Sequence, residues 1–92
     1  MKLRVVWTSK FKKDYKNAIK RGLNIEKLDN IIVMLANRIP LLPKHRDHEL
    51  MGDYQGFREC HIEPDWLLVY AIDGNDLILT LARTGSHSDL FD

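Results

Sequence analysis

The run Trp66-Leu67-Leu68-Val69-Tyr70-Ala71-Ile72 constrains the fold of this chain more than any other feature. Branched and aromatic residues bounded by Pro64-Asp65 and Asp73-Gly74 read as a strand, and an apolar residue at every position requires cover on both faces. A strand of that kind belongs in the middle of a sheet. It is far too short to cross a bilayer, which takes about 20 residues.

The flanking sequence supplies the rest of the sheet. Strands are expected near 57–62, 66–72 and 76–83, with Asp73-Gly74-Asn75-Asp76 as a tight turn between the last two. In the final strand Leu77, Leu79 and Leu81 alternate with Ile78, Thr80 and Ala82. Upstream, Leu3 to Trp7 reads as a short strand, Thr8 or Ser9 as a helix N-cap, and Phe11, Tyr15, Ala18 and Ile19 as the buried side of a first helix ended by Gly22. Asn24 caps a second helix with an apolar stripe of Ile25, Leu28, Ile31, Ile32 and Leu35, stopped before Pro40. PLLPKHRDHELMGDYQG has no period and reads as a long loop, a feature often tied to function, and the serines of GSHSDLFD suit one turn of helix. The order is β-α-α-β-β-β. This is an α+β fold in which a small, mostly antiparallel sheet carries the N-terminal helical hairpin on one face, leaving the other free for a site, within a single domain over 1–92.

Charge is unevenly distributed. Residues 1–46 hold twelve Lys/Arg against three acids, and residues 47–92 hold two Arg against ten acids, although the whole chain carries only +1. The basic half suggests a polyanion-facing surface, with solvated helix faces as the plainer explanation. On the first helix Lys10, Lys13, Lys16 and Lys20 form one stripe able to follow a phosphate backbone. Phe91, in a polar tail, is placed to stack on an unpaired base or to pin the C-terminal segment. Lys2 and Arg4 precede only Val5-Val6-Trp7, which is no signal-peptide core, and a lone Cys60 offers no intrachain disulfide; both fit a reducing cytoplasm.

The chemistry-bearing residues fall in the second half. RECHIEPDW places Glu59, His61 and Glu63 on one face of a strand and Cys60 and Ile62 on the other, so Cys60 is expected to pack in the core rather than react. His45, His48, His61 and His87 lie in the loop, a strand and the tail. Imidazoles titrate near neutrality, so a converging set can supply both acid and base. Cleavage of a phosphodiester beside a 2′-OH needs a base, an acid and a cation for the phosphoryl oxygens, and His48, His61, Asp65, His87 and Arg83 are the right types. Spacing alone does not make them converge. His45-x-x-His48 and His61-x-x-x-Asp65 would also suit a metal, but they match no tight zinc motif, and no cofactor or metal is expected.

Several short motifs in order resemble the YafQ branch of the RelE/ParE toxin superfamily: Asp47-His48-Glu49-Leu50, Gly56-Phe57-Arg58-Glu59-Cys60-His61 with Pro64-Asp65-Trp66, Arg83-Thr84-Gly85-Ser86-His87, and Leu90-Phe91. Glu49 departs from the proline common after the loop histidine. The resemblance covers essentially the whole chain. It implies a RelE-like fold and the toxin of a bacterial type II toxin–antitoxin pair, a metal-independent endoribonuclease that cleaves mRNA in the ribosomal A site. It further implies a DNA-binding antitoxin of the DinJ or RelB kind, with which the otherwise monomeric toxin forms a hetero-oligomer repressing their shared operon. By the same resemblance the active site falls on His48, His61, Asp65, His87 and Phe91, with Arg83 on phosphate, His87 as general acid, and His48 or a His61/Asp65 pair as base. A gyrase-poisoning ParE-like toxin and a non-catalytic binding module remain the alternatives.

Overall fold

The computed structural model describes residues 2–91. It contains β1 (Arg4–Trp7), α1 (Ser9–Lys20), α2 (Ile25–Ala36), β2 (His48–Glu49), β3 (Arg58–Glu63), β4 (Trp66–Asp73), β5 (Ile78–Gly85) and α3 (His87–Phe91). The five strands form one sheet in the order β1-β5-β4-β3-β2. All pairings are antiparallel except that of β1 with β5.

The doubly apolar strand β4 is the middle strand, and each of its faces has its own core. Trp66, Leu68 and Tyr70 join Leu79, Leu81, Cys60 and Ile62 against the helices, where Phe11, Ala18, Leu28, Ile31, Ile32 and Leu35 are buried. On the opposite face Leu67 and Val69 pack with Leu90 of α3, covered by Leu50, Phe57 and Ala82. That second face is therefore partly roofed by the long loop and the tail helix.

Both helix starts follow from their caps. The Thr8 hydroxyl accepts from Phe11 N–H, and the Asn24 side chain accepts from Glu26 N–H. Gly22, at φ 77°, makes the left-handed turn between the helices. Ile19, expected on the buried side of α1, is 53% exposed. The helix turns Phe11, Asp14 and Ala18 toward the sheet because Asp14 is bonded to β5, and Ile19 rides on the flank.

Three details differ from the pattern in the sequence. The long loop contains a two-residue strand, β2, with a 3₁₀ turn on either side. The turn after β4 runs on through Leu77 at φ 57°, so β5 begins at Ile78. A register shift between His61 and Glu63 breaks the alternation of β3, and the Glu63 carboxylate lies 3.7 Å from Lys27 of α2 rather than beside Glu59 and His61.

The two cores differ in depth. Leu68→Ala is expected to lower the unfolding free energy by about 2–5 kcal/mol in urea denaturation. Leu90→Ala should cost less and act locally, seen as faster proteolysis or amide exchange confined to α3. Equal global losses for the two would contradict the two-core arrangement.

Candidate active site

The strand register assembles most of the site. His48 of β2 pairs with Glu59 of β3, Glu59 with Val69 of β4, and Val69 with Arg83 of β5. Residues paired across strands share a face, so these four form one row on the less covered side of the sheet. The next row holds His61, Leu67 and Gly85.

Glu59 is the pivot, only 6% exposed. Its carboxylate reaches His48 Nε2 at 3.3 Å and His61 Nε2 at 3.9 Å. The backbone sets the tautomers. His48 Nδ1 lies 2.6 Å from the Arg46 carbonyl, which can only accept, so Nδ1 carries a proton and Nε2 faces Glu59. His61 Nδ1 faces the Pro64 carbonyl at 3.3 Å in the same sense. At these distances the two Nε2–carboxylate contacts are charge contacts rather than hydrogen bonds, and they favour each imidazole whenever it carries a positive charge.

His87 enters from α3. Its ring Nδ1 and its backbone N–H both approach Asp65 Oδ1, at 2.8 and 3.0 Å. The Nδ1–H is thereby held and Nε2 is left to work. The same two bonds, the backbone one first, hold the exposed Asp65 carboxyl below its usual value. Asp65 thus pairs with His87, not with His61 as the sequence reading allowed, because the Pro64-Asp65 turn presents its carboxylate to the start of α3. The rings run in series, with centroids 6.5 Å apart for His48–His61 and 5.7 Å for His61–His87. Ligand atoms of Glu59, His61 and His87 lie within 4.8 Å of one another, a spacing that also suits a metal ion.

Supporting contacts place the mobile pieces. Tyr70, buried in β4, donates to Asp47, which Arg58 Nε also approaches at 3.3 Å; this fastens the loop one residue before His48. Burial raises the Tyr70 phenol far above its ordinary value, so it stays a donor. α3 is held by a reciprocal cap, Ser86 N–H to Asp89 and Asp89 N–H to the Ser86 hydroxyl, and by Arg21, whose Nη1 is 2.7 Å from Asp89. The Arg21 guanidinium, more than the Ser86 bonds, keeps the Asp89 carboxyl well below the usual carboxylate range. A Cβ on Gly85 would lie 3.0 Å from Asp89 Cβ, so only glycine lets α3 approach this closely.

Other expected residues make no contact with the histidines through their side chains, or serve them only through the backbone. Arg83 donates from Nε to Asp14 at 2.7 Å, and Thr84 N–H donates to the same carboxylate oxygen at 3.1 Å. Lys10, Lys13, Lys16 and Lys20 are exposed along α1. Phe91 is 39% exposed and meets Tyr54 edge-on at 5.3 Å, so it is partly pinned and partly open. His45 bonds the His61 carbonyl through Nδ1 at 2.7 Å and serves the backbone there. Cys60 is fully buried, and burial pushes its thiol up to about 12, which leaves it inert as a nucleophile. The sequence pattern put Glu59 on the right face but gave no sign of its central place. Asp14 was visible as the lone acid in a lysine-rich helix, and Asp47 only as a neighbour of His48.

Comparison with known proteins identifies the family and the fold. The family described as the bacterial toxin of a type II toxin–antitoxin system, YafQ, matches residues 3–92. The "mRNA interferase toxin YafQ" of Escherichia coli K12 is 38% identical over 88 residues, covering 95% of this chain and 94% of that protein. Among solved structures, a metal-bound toxin from Helicobacter pylori is 45% identical with a TM-score of 0.91, covering 97% of this chain and 99% of that one. The toxin of the E. coli DinJ-YafQ toxin–antitoxin complex is 35% identical with a TM-score of 0.90 and full coverage of both chains. With its fold, its motifs and nearly its whole length matched, this chain belongs to the YafQ family of bacterial type II toxin–antitoxin toxins.

Proposed function

We propose that the protein is a ribosome-dependent endoribonuclease that cuts mRNA in the A site and stops translation. The observation that carries this reading is the series His48, His61, His87 around a buried Glu59, with Asp65 holding the far side of His87. In-line cleavage needs a base and an acid on opposite sides of the phosphorus, and the two outer histidines flank the inner one in that way. His48, with its proton on Nδ1 and Nε2 free, takes the proton of the 2′-OH on Nε2, and the Glu59 carboxylate offsets the positive charge so formed. The 2′-oxygen then bonds to phosphorus as the P–O5′ bond breaks, and His87 donates its proton to the departing 5′-oxygen. His61, with Glu59 behind it, meets the charge that builds on the phosphoryl oxygens. The products are a 2′,3′-cyclic phosphate and a 5′-hydroxyl, and no metal takes part.

The remaining residues are assigned to substrate and partner. Arg83, oriented by Asp14, contacts phosphate, Phe91 offers its open face to a base, and Lys10, Lys13 and Lys16 meet ribosomal or messenger phosphates. The relative in the DinJ-YafQ complex supports a DNA-binding antitoxin of that kind as partner. The toxin is a monomer alone and a hetero-oligomer with that antitoxin, and together they repress their operon. Among the described residues no helix is long and apolar enough to cross a membrane, and the site of action is the cytoplasm, where ribosomes are. The 92 residues act as one domain.

Ribosomes programmed with a defined mRNA test the proposal, with product ends read directly. His87→Gln should lower the single-turnover rate roughly 10²–10⁴-fold with ribosome binding intact, and Asp65→Asn should fall between it and the unmodified protein. Arrested gyrase with uncut mRNA would favour a ParE-like activity, and no effect on either would favour a binding module.

Metal should be an inhibitor rather than a helper, because an ion on Glu59, His61 and His87 would occupy the groups that move protons. A chelator selective for zinc and copper, leaving the ribosome's magnesium in place, should not slow cleavage, and added zinc should. Loss of activity on chelation, restored by zinc, would reverse this assignment.

Charge reversal of Lys13 and Lys16 separates binding from chemistry. Each phosphate no longer neutralised should flatten the salt dependence of ribosome association by a slope of about 0.7–0.9, with cleavage recovered at saturating ribosomes. An unchanged slope would reduce the stripe to a solvated helix face.

A further inference from the structure

We infer that a second cleft, which shares His61 with the histidine row, is a binding subsite for the RNA strand where it leaves the scissile phosphate. The inference rests on the ribonuclease reading and adds to it a place for the neighbouring nucleotide. The cleft measures about 520 Å³, within the range of roughly 300–1,000 Å³ typical of small-ligand sites and large enough for one nucleotide. It is lined by Lys27 of α2, by Lys44 and Arg46 of the loop, and by Ile62, Glu63 and Pro64 at the end of β3.

Three observations point to a nucleotide. The first is continuity, since His61 lines the cleft and also belongs to the histidine row. A strand lying over the row has this cleft as its adjoining path. The second is chemistry: Lys27, Lys44 and Arg46 outnumber the single lining acid, Glu63, which suits a phosphate, and Pro64 adds an apolar surface for a ribose or base. Lys27 is joined to Glu63 only loosely, at 3.7 Å, and among the described residues Lys44 and Arg46 form no salt bridge. The local charge is therefore positive and largely unspent.

The third is rigidity. Arg46 sits in the left-handed region at φ 46°, a costly place for a residue with a side chain. Two bonds hold it there, from its N–H to the Pro43 carbonyl at 3.1 Å and from His48 Nδ1 to its own carbonyl at 2.6 Å. One residue thus orients His48 through its backbone and borders the cleft through its guanidinium. His45 fixes the opposite wall by bonding the His61 carbonyl at 2.7 Å. An acidic peptide could also meet the cations, but continuity with the histidine row favours RNA.

The experiment titrates the intact chain with a single-stranded 2′-O-methyl RNA hexamer, which cannot be cleaved, and follows backbone amide shifts. Shifts are expected at residues 44–46 and 61–64 as well as at the histidine row. The double variant Lys44→Ala/Arg46→Gly, whose glycine accepts the left-handed backbone, should weaken binding roughly tenfold and flatten its salt dependence by about 0.7 for each phosphate left without its cation. Unchanged affinity in that variant, or shifts confined to α1, would overturn the inference. So would displacement of the hexamer by an oligoglutamate peptide at equal concentration, which would make the cleft a peptide site. Binding in the cleft by a protein that leaves ribosomal mRNA uncut would overturn the ribonuclease reading and leave the cleft standing as an RNA site.

Discussion

Everything in this molecule is indexed to the two-sided burial of β4. Leu68 and Tyr70 must face the helices because the large core is there, and Leu67 and Val69 must then face the smaller core beneath α3. A slip of one residue would exchange these sets and expose both, so the register is held by apolar burial on two sides at once. Through that register β4 decides which residues of β3 and β5 share its outer face, and these include Glu59, His61 and Arg83. The site thus inherits its geometry from apolar residues that do no chemistry.

Placing a carboxylate at the centre of the site is costly, and the structure shows what offsets the cost. Glu59 is nearly inaccessible, yet two imidazole nitrogens face its two oxygens, and no buried side-chain polar atom is left without a partner among the described residues. The histidines in turn are held by carbonyl groups on their other nitrogens, so their rings cannot rotate without breaking a bond. Preorganisation of this kind avoids reorientation at the moment of reaction. The same arrangement explains why a metal could compete for the site, since imidazole and carboxylate held close together serve protons and divalent ions alike.

Local signals in the sequence were sufficient for the longer elements. Thr8, Asn24 and Gly22 mark the helix ends because capping depends on residues a few positions apart, and the apolar run of β4 announces a central strand because burial on both faces leaves no polar position. The candidate histidines were visible by type and by motif, but their convergence depends on β2, a strand of two residues that no periodicity can reveal. The swing of Glu63 follows from a register shift, and the pairing of Arg83 with Asp14 joins residues far apart in the chain. The sequence reading paired Asp65 with His61, whereas the structure sets its carboxylate against His87. The reason is that a turn residue takes its partner from whatever the fold brings next to it, here the first residue of α3.

The parallel pairing of β1 with β5 has a consequence for the birth of the protein. The first strand meets its partner only when the last strand has been made, and His87 lies beyond that last strand. Contacts between β1 and β5 are far apart in sequence and raise the contact order, so the sheet closes only after β5 has been made. A chain still being translated has its helical hairpin but neither a closed sheet nor a complete histidine row. The site is in this way withheld from the nascent chain through topology alone.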